Sequence, residues 1–171
     1  MNTNKMKLTA LFSALIFLLP ISSEAYFTTS QTATRITDNT ALYTISFDFG
    51  FPTRDLVMPI GAIRDTTDEA SPYIEYEFVD SDNEASILGT SAGIILTESE
   101  DVEIKNNQYF LPAGESARFS LVTLVTLPAD SKEQDLALRV SHLPFTMVID
   151  GNNLPAQLNP SELQYYITPS L

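Results

Sequence analysis

Hydrophobic and polar positions alternate most cleanly in Ala41–Phe49, where Tyr43, Ile45, Phe47 and Phe49 are separated by Thr44, Ser46 and Asp48. Successive strand side chains point to opposite faces, so a period of two predicts a half-buried strand. The same pattern returns in Ser71–Phe78, with Ile74, Tyr76 and Phe78 on one face and Glu75 and Glu77 on the other. Ala117–Leu127 is rich in β-branched and aromatic residues and apolar on both faces in its later part, as expected of the most buried, central strand. Shorter candidates are Leu56–Ile63, Gly93–Thr97, Val102–Lys105, Gln108–Leu111, Asp135–Ser141, Phe145–Ile149 and Leu163–Thr168.

The separators supply backbone geometry that strands do not accommodate. Leu111-Pro112-Ala113-Gly114 fits a type I turn with Pro second and Gly fourth. Asp150-Gly151-Asn152-Asn153 tolerates positive φ and predicts a tight hairpin. Asn159-Pro160-Ser161-Glu162 carries a cap residue, a Pro at the first helical position and a following Glu, so a short helix competes with the strand over Leu163–Ile167. No stretch sustains helical periodicity. These features predict an all-β fold, a single antiparallel β-sandwich of Ig-like or jelly-roll type spanning residues 26–171.

Residues 1–25 read as a secretory signal peptide. Lys5 and Lys7 precede the apolar run Leu8–Leu19, Pro20 breaks it, and Ser23-Glu24-Ala25 places small residues where a signal peptidase reads. That run is short of the roughly 20 residues a spanning helix needs, so no membrane insertion is expected once the leader is removed. The expected address is exported: extracellular, cell-surface or periplasmic, in a bacterium.

Composition narrows the chemistry. The 171 residues include 22 Asp plus Glu against 9 Lys plus Arg, a formal charge of -13. Removing Glu24 from those 22 acids, and Lys5 and Lys7 from those 9 bases, leaves 21 against 7, a net of -14. So acidic a surface repels phosphate backbones, which excludes nucleic acid as a partner. With no Cys and one His, disulfides, thiol nucleophiles and the usual zinc sites are excluded. No Gly-x-Ser-x-Gly elbow accompanies His142, which reads as a structural histidine, and glycine-rich phosphate loops are absent. With so many acids, finding a carboxylate pair of the glycosidase kind carries no weight.

Asp80, Asp82 and Glu84 space three carboxylates at alternate positions of one loop, a pattern that suits calcium and its six to eight oxygen ligands. It is not an EF-hand, since Ala85 stands where the sharp-turn glycine belongs. A solvated interstrand loop accounts for the same residues. Glu98-Ser-Glu100-Asp101-Val-Glu103 is a second acidic cluster that reads first as a solvated connection. Tyr43, Tyr76, Phe47, Phe49, Phe78 and Phe119 sit at core-facing strand positions, whereas one of Tyr165 and Tyr166 must face outward and is available to a carbohydrate.

The segment Tyr26–Ile36 is Thr-rich, lacks Pro and Gly, and predicts a terminal strand. Ala25-Tyr26-Phe27-Thr28, followed by Thr29, Thr32 and Thr34, resembles the mature start of the TasA/camelysin family of secreted bacterial proteins. The resemblance covers about ten residues, and the Asp usual after that motif is missing. It implies a jelly-roll subunit of an extracellular fibre or matrix, assembled by strand exchange. Camelysin relatives are also described as peptidases, and no protease motif stands in this chain. Tyr26, Phe27, Thr28 and Ile36 are the expected self-assembly residues, in a homo-oligomer or with other surface proteins, because a free terminal strand offers unpaired N–H and C=O groups. The sequence thus predicts an exported, non-enzymatic structural protein without a cofactor. The alternative is a calcium- or carbohydrate-binding module.

Overall fold

The computed structural model describes residues 29–65, 71–86, 89–128 and 135–171. The expected leader and Tyr26, Phe27 and Thr28 lie outside these residues. The described chain forms β1 (Thr29–Thr37), β2 (Thr40–Gly50), β3 (Asp55–Pro59), β4 (Gly61–Arg64), β5 (Ile74–Val79), β6 (Ala85–Ser86), β7 (Thr90–Thr97), β8 (Glu103–Lys105), β9 (Gln108–Leu111), β10 (Ser116–Thr126), β11 (Ala137–His142), β12 (Pro144–Ile149), β13 (Asn152–Gln157) and a short helix α1 (Pro160–Leu163).

The protein is all-β, with two sheets. The eight-stranded sheet runs β1-β2-β10-β7-β4-β5-β11, with β6 on β5, and the five-stranded sheet runs β13-β12-β3-β9-β8. The larger sheet curls into a half-barrel. Three strands separate β2 from β5 within it, yet the rings of Tyr43 and Phe78 lie 5.4 Å apart, which only a strongly curved sheet allows. The buried face of β2 delivers Tyr43, Ile45, Phe47 and Phe49, as its alternation predicts, and Ile74, Tyr76 and Phe78 arrive from β5. Edge-to-face contact of Phe49 with Phe145 at 5.0 Å, and a tilted contact of Tyr109 with Phe119 at 5.6 Å, join the two sheets through one core.

Four expectations are corrected. The larger sheet is mixed rather than wholly antiparallel, because β4 pairs in parallel with β5, Ala62 opposite Ile74. Leu56–Ile63 is two strands: the chain leaves the smaller sheet after Pro59 and enters the larger one at Gly61. An apolar run cannot mark that corner, since both sheets bury apolar side chains. Leu163–Thr168 is not a strand. The Asn159 N–H donates to Glu162 Oε2 at 2.9 Å and the Leu163 N–H to the Asn159 carbonyl at 3.1 Å, closing one helical turn, and only Ile167 makes an isolated bridge, to Arg139. The turn at Pro112 sits one residue later than expected: the Glu115 N–H reaches the Pro112 carbonyl, and Gly114 holds φ +86° at the third position, as a type II turn requires.

The Asp150-Gly151 hairpin forms as predicted, both residues at positive φ between the paired Ile149 and Asn152. β10 is central, but its outer face is not buried. Val122 is half-buried and Leu124 is 42% exposed.

Candidate functional site

An open sheet edge is a row of unpaired backbone donors and acceptors, so the way each edge is covered bears directly on association. The outer edge of β11 is capped by the C-terminal segment. The Val140 N–H donates to the Tyr166 carbonyl at 3.0 Å, the Thr168 N–H to the Leu138 carbonyl at 2.9 Å, and Leu136 and Leu171 exchange two more bonds. The Leu138 N–H is held by Thr168 Oγ1 at 2.9 Å. At one end of the smaller sheet, β13 carries Pro155, which has no N–H to offer. At the other, β8 is three residues long, with Lys105 and Glu103 paired at 2.7 Å. Short, charged and proline-bearing edges resist pairing.

β1 has none of these defences. It is nine residues long, pairs with β2 along its length from Thr29–Phe47 to Thr37–Thr40, and stands last in the sheet. Arg35 is its one charge, and it contains neither Pro nor Gly. Among the described residues, β1 therefore completes its own sheet on one side and no strand pairs with its second backbone edge. Gln31 reaches from this strand to the Tyr165 carbonyl at 2.7 Å, tying β1 to the tail that caps β11. Ile36, an expected assembly residue, sits at the register shift between Arg35 and Thr37 and is 55% exposed.

Asp80, Asp82 and Glu84 form the turn that joins β5 to β6. Asp80 Oδ1 accepts the N–H groups of Asp82 and Glu84, each at 3.0 Å, so its carboxylate folds back on the loop's own backbone. Asn83 takes φ +64° there, and its Oδ1 accepts a bond from Arg139 at 2.8 Å. Among the described residues, no group of three or more His, Asp or Glu is placed to hold a metal ion.

A second polar group, which sequence reading did not assemble, lies on the outer side of β5 and β11. Glu75 is buried and stands in register with His142, while Arg139 pairs with Glu77 at 2.8 Å. Asp65, at the end of β4, has its carboxyl pushed above the usual range by desolvation and then by Glu75 and Glu77, against the opposing pull of Arg139 and His142. Asp65 is brought beside β5 at the end of the β4–β5 pairing, its N–H donating to the Tyr76 carbonyl at 2.7 Å, and Arg139 and His142 arrive through the β5–β11 pairing, so no local motif announces the group.

The smaller sheet presents an open depression lined by Val57, Gln108, Phe110, Thr146 and Asn153, with Lys105 Nζ 3.7 Å from the centre of the Phe110 ring. Of the paired tyrosines, Tyr165 is 65% exposed and Tyr166 is buried against Phe47. Burial, with Glu162 nearby, drives the Tyr166 phenol well above its ordinary pKa. Among the described residues, no helix is long and apolar enough to cross a membrane.

No family model matches the chain, and no curated protein matches it. Among solved structures, the comparison includes the C-terminally truncated trimeric ectodomain of the C. elegans fusion protein EFF-1, at 8% identity over 80% of this chain, with a TM-score of 0.13. The chain spans 38% of that structure's length, and a likeness this weak carries no argument about fold or function.

Proposed function

We propose that this chain is an exported, non-enzymatic structural protein of the bacterial cell surface or extracellular matrix, a single β-sandwich of jelly-roll or Ig-like type that self-associates by strand pairing. The edge of β1 carries the proposal: among the described residues it is the long edge without proline, charge pairing or a covering segment. Backbone pairing along such an edge is a general mode of β-strand addition. The resemblance of Tyr26, Phe27 and Thr28 to the TasA/camelysin start supports the same reading, since it places family-like residues immediately before β1.

Deleting β1 is a poor test, because it would strip β2 of one of its two partners and create a new open edge. Proline at neighbouring positions is cleaner. Along an edge strand, alternate N–H groups point inward and outward, so of Thr32→Pro and Ala33→Pro one removes a hydrogen bond to β2 and the other removes only an outward donor. Sedimentation velocity on residues 26–171 should show large assemblies for the parent. The better-folded of the two variants should lose them. Assemblies of unchanged size in that variant would sink the proposal.

A binding-module reading has one observation in its favour, the amide-lined depression beside Phe110. Calorimetry with soluble glycans, silent for the parent, would remove it.

A further inference from the structure

On the outer face of the smaller sheet, apolar and polar side chains meet in a concave arrangement. Residue parity turns Leu56, Met58, Tyr109, Leu111 and Phe145 into the core, which leaves Val57, Phe110, Thr146 and Val148 on the opposite face. The registers set them side by side. Phe110 stands opposite Val57 and Val57 opposite Thr146, while one row along Val148 stands opposite Asn153. Together they line a depression of about 270 Å³. Its floor comes from Val57, Val148 and Phe110, all half-buried.

The rim is polar and unspent. Among the described residues, the side chains of Asn106, Gln108, Thr146 and Asn153 make no hydrogen bond within the protein. Outward polar groups of the larger sheet behave differently, since Ser46 bonds Ser120 at 2.8 Å and Arg118 bonds Asp48 at 2.8 Å. Asn106 and Asn107 hold φ of +51° and +60°, which makes the β8–β9 connection a tight hairpin and fixes Asn106 at the rim. Charge at the site cancels, because Lys105 pairs with Glu103 at 2.7 Å. A ligand suited to this surface has an apolar face, several groups that both donate and accept, and no net charge. A sugar ring has all three: C–H groups on its face and hydroxyls around its edge, which amide side chains match as donors and acceptors together. Anionic sugars are disfavoured by a chain that carries -13.

We infer that this depression is a binding site for a neutral saccharide. The sugar ring rests on Val57 and Val148, and its hydroxyls are taken by Gln108 of β9 and Asn153 of β13, which flank β3 and β12 on either side. Lys105 Nζ already lies 3.7 Å from the centre of the Phe110 ring, so the aliphatic pair rather than the aromatic ring carries the apolar contact. Ligand sites of this kind combine an apolar lining with a few polar groups and start at about 300 Å³, so the space suits a short stretch of saccharide. The inference rests on the binding-module reading, which it narrows to one site and one ligand class, and it is independent of strand pairing at β1.

The test is isothermal titration calorimetry on residues 26–171 with maltohexaose, cellohexaose, xylohexaose and N-acetylchitohexaose, and with polygalacturonate as the anionic control. Circular dichroism checks the fold of each variant. At least one neutral probe should bind saturably. Val57→Gln, which puts a polar chain on the floor, and Asn153→Ala should each weaken that binding about tenfold, the scale of one lost apolar contact or hydrogen bond. Tyr165→Ala, at an exposed aromatic outside the depression, should leave it unchanged. Silence with every probe overturns the inference and the binding-module reading together. Binding that survives Val57→Gln and Asn153→Ala but is lost in Tyr165→Ala keeps that reading and overturns the site. Polygalacturonate binding more tightly than the neutral sugars overturns the ligand class. Gln108→Ala keeps the test open if Val57→Gln does not fold.

Discussion

Gly93 lies in β7 with its missing side chain directed into the core of the half-barrel. A Cβ built there would stand 2.6 Å from Cε1 of Tyr76 and 3.2 Å from Thr123 Oγ1. Carbon atoms in contact sit about 3.5–4.0 Å apart, so Gly93→Ala overlaps the ring by about 1 Å. The ring has little room to retreat. Tyr76 is 1% exposed, its hydroxyl bonds Ser91 Oγ at 3.1 Å, and Phe78 meets it edge-on at 6.0 Å. Overpacking of this kind costs about 1–3 kcal/mol, while removing a glycine from the unfolded chain returns about 0.4–1 kcal/mol. The net loss expected is about 1.5 kcal/mol, a fall in Tm of roughly 3–6 °C for a domain of this length. The decisive assay is a double-mutant cycle by urea denaturation with Tyr76→Leu, which removes the atom that clashes. In that background Gly93→Ala should cost nothing or stabilise slightly, giving a coupling of at least about 1 kcal/mol. Additive effects within about 0.3 kcal/mol would refute the reasoning, because they would mean that the cost of the alanine is unrelated to the ring.

The two core tyrosines at the barrel's closure should respond oppositely to loss of the hydroxyl. Tyr43→Phe breaks a buried bond to the Leu136 carbonyl at 2.9 Å and should cost about 1 kcal/mol, whereas Tyr166 Oη has no partner among the described residues, so Tyr166→Phe should be neutral or stabilising in thermal unfolding. A destabilised Tyr166→Phe would show that the phenol is held by a group not seen here. Asp65 gives a pH prediction. Its folded pKa is raised, so the folded state holds its proton more tightly than the unfolded state, and stability falls as pH rises from the ordinary carboxylate value through the raised one. Asp65→Asn should therefore raise Tm at pH 7, with the advantage vanishing by about pH 3, where the carboxyl is protonated in both states. An advantage that stays constant with pH would exclude the carboxylate as its source.

Local pattern determined a good deal about this protein. Alternation in Tyr43–Phe49 and Ile74–Phe78 set which side chains enter the core, because in a strand the face follows directly from residue parity. The pair Asp150-Gly151 made its hairpin because positive φ is a property of those residues rather than of their neighbours. The absence of Cys removed disulfide and thiol chemistry without any fold. Tertiary structure decided what depends on distant partners. That the tail closes over β11 and that Glu75 lies beside His142 are pairings between segments far apart in the chain, and that the consecutive strands β4 and β5 run parallel rather than as a hairpin is set by the sheet they join. No local period encodes them. The later part of β10 marks the boundary most clearly. Sequence shows Val122 and Leu124 to be apolar, and apolar residues on both faces predict burial on both. Only the placement of the second sheet leaves them facing outward, because a sheet of eight strands has two faces and the five-stranded sheet covers the inner one.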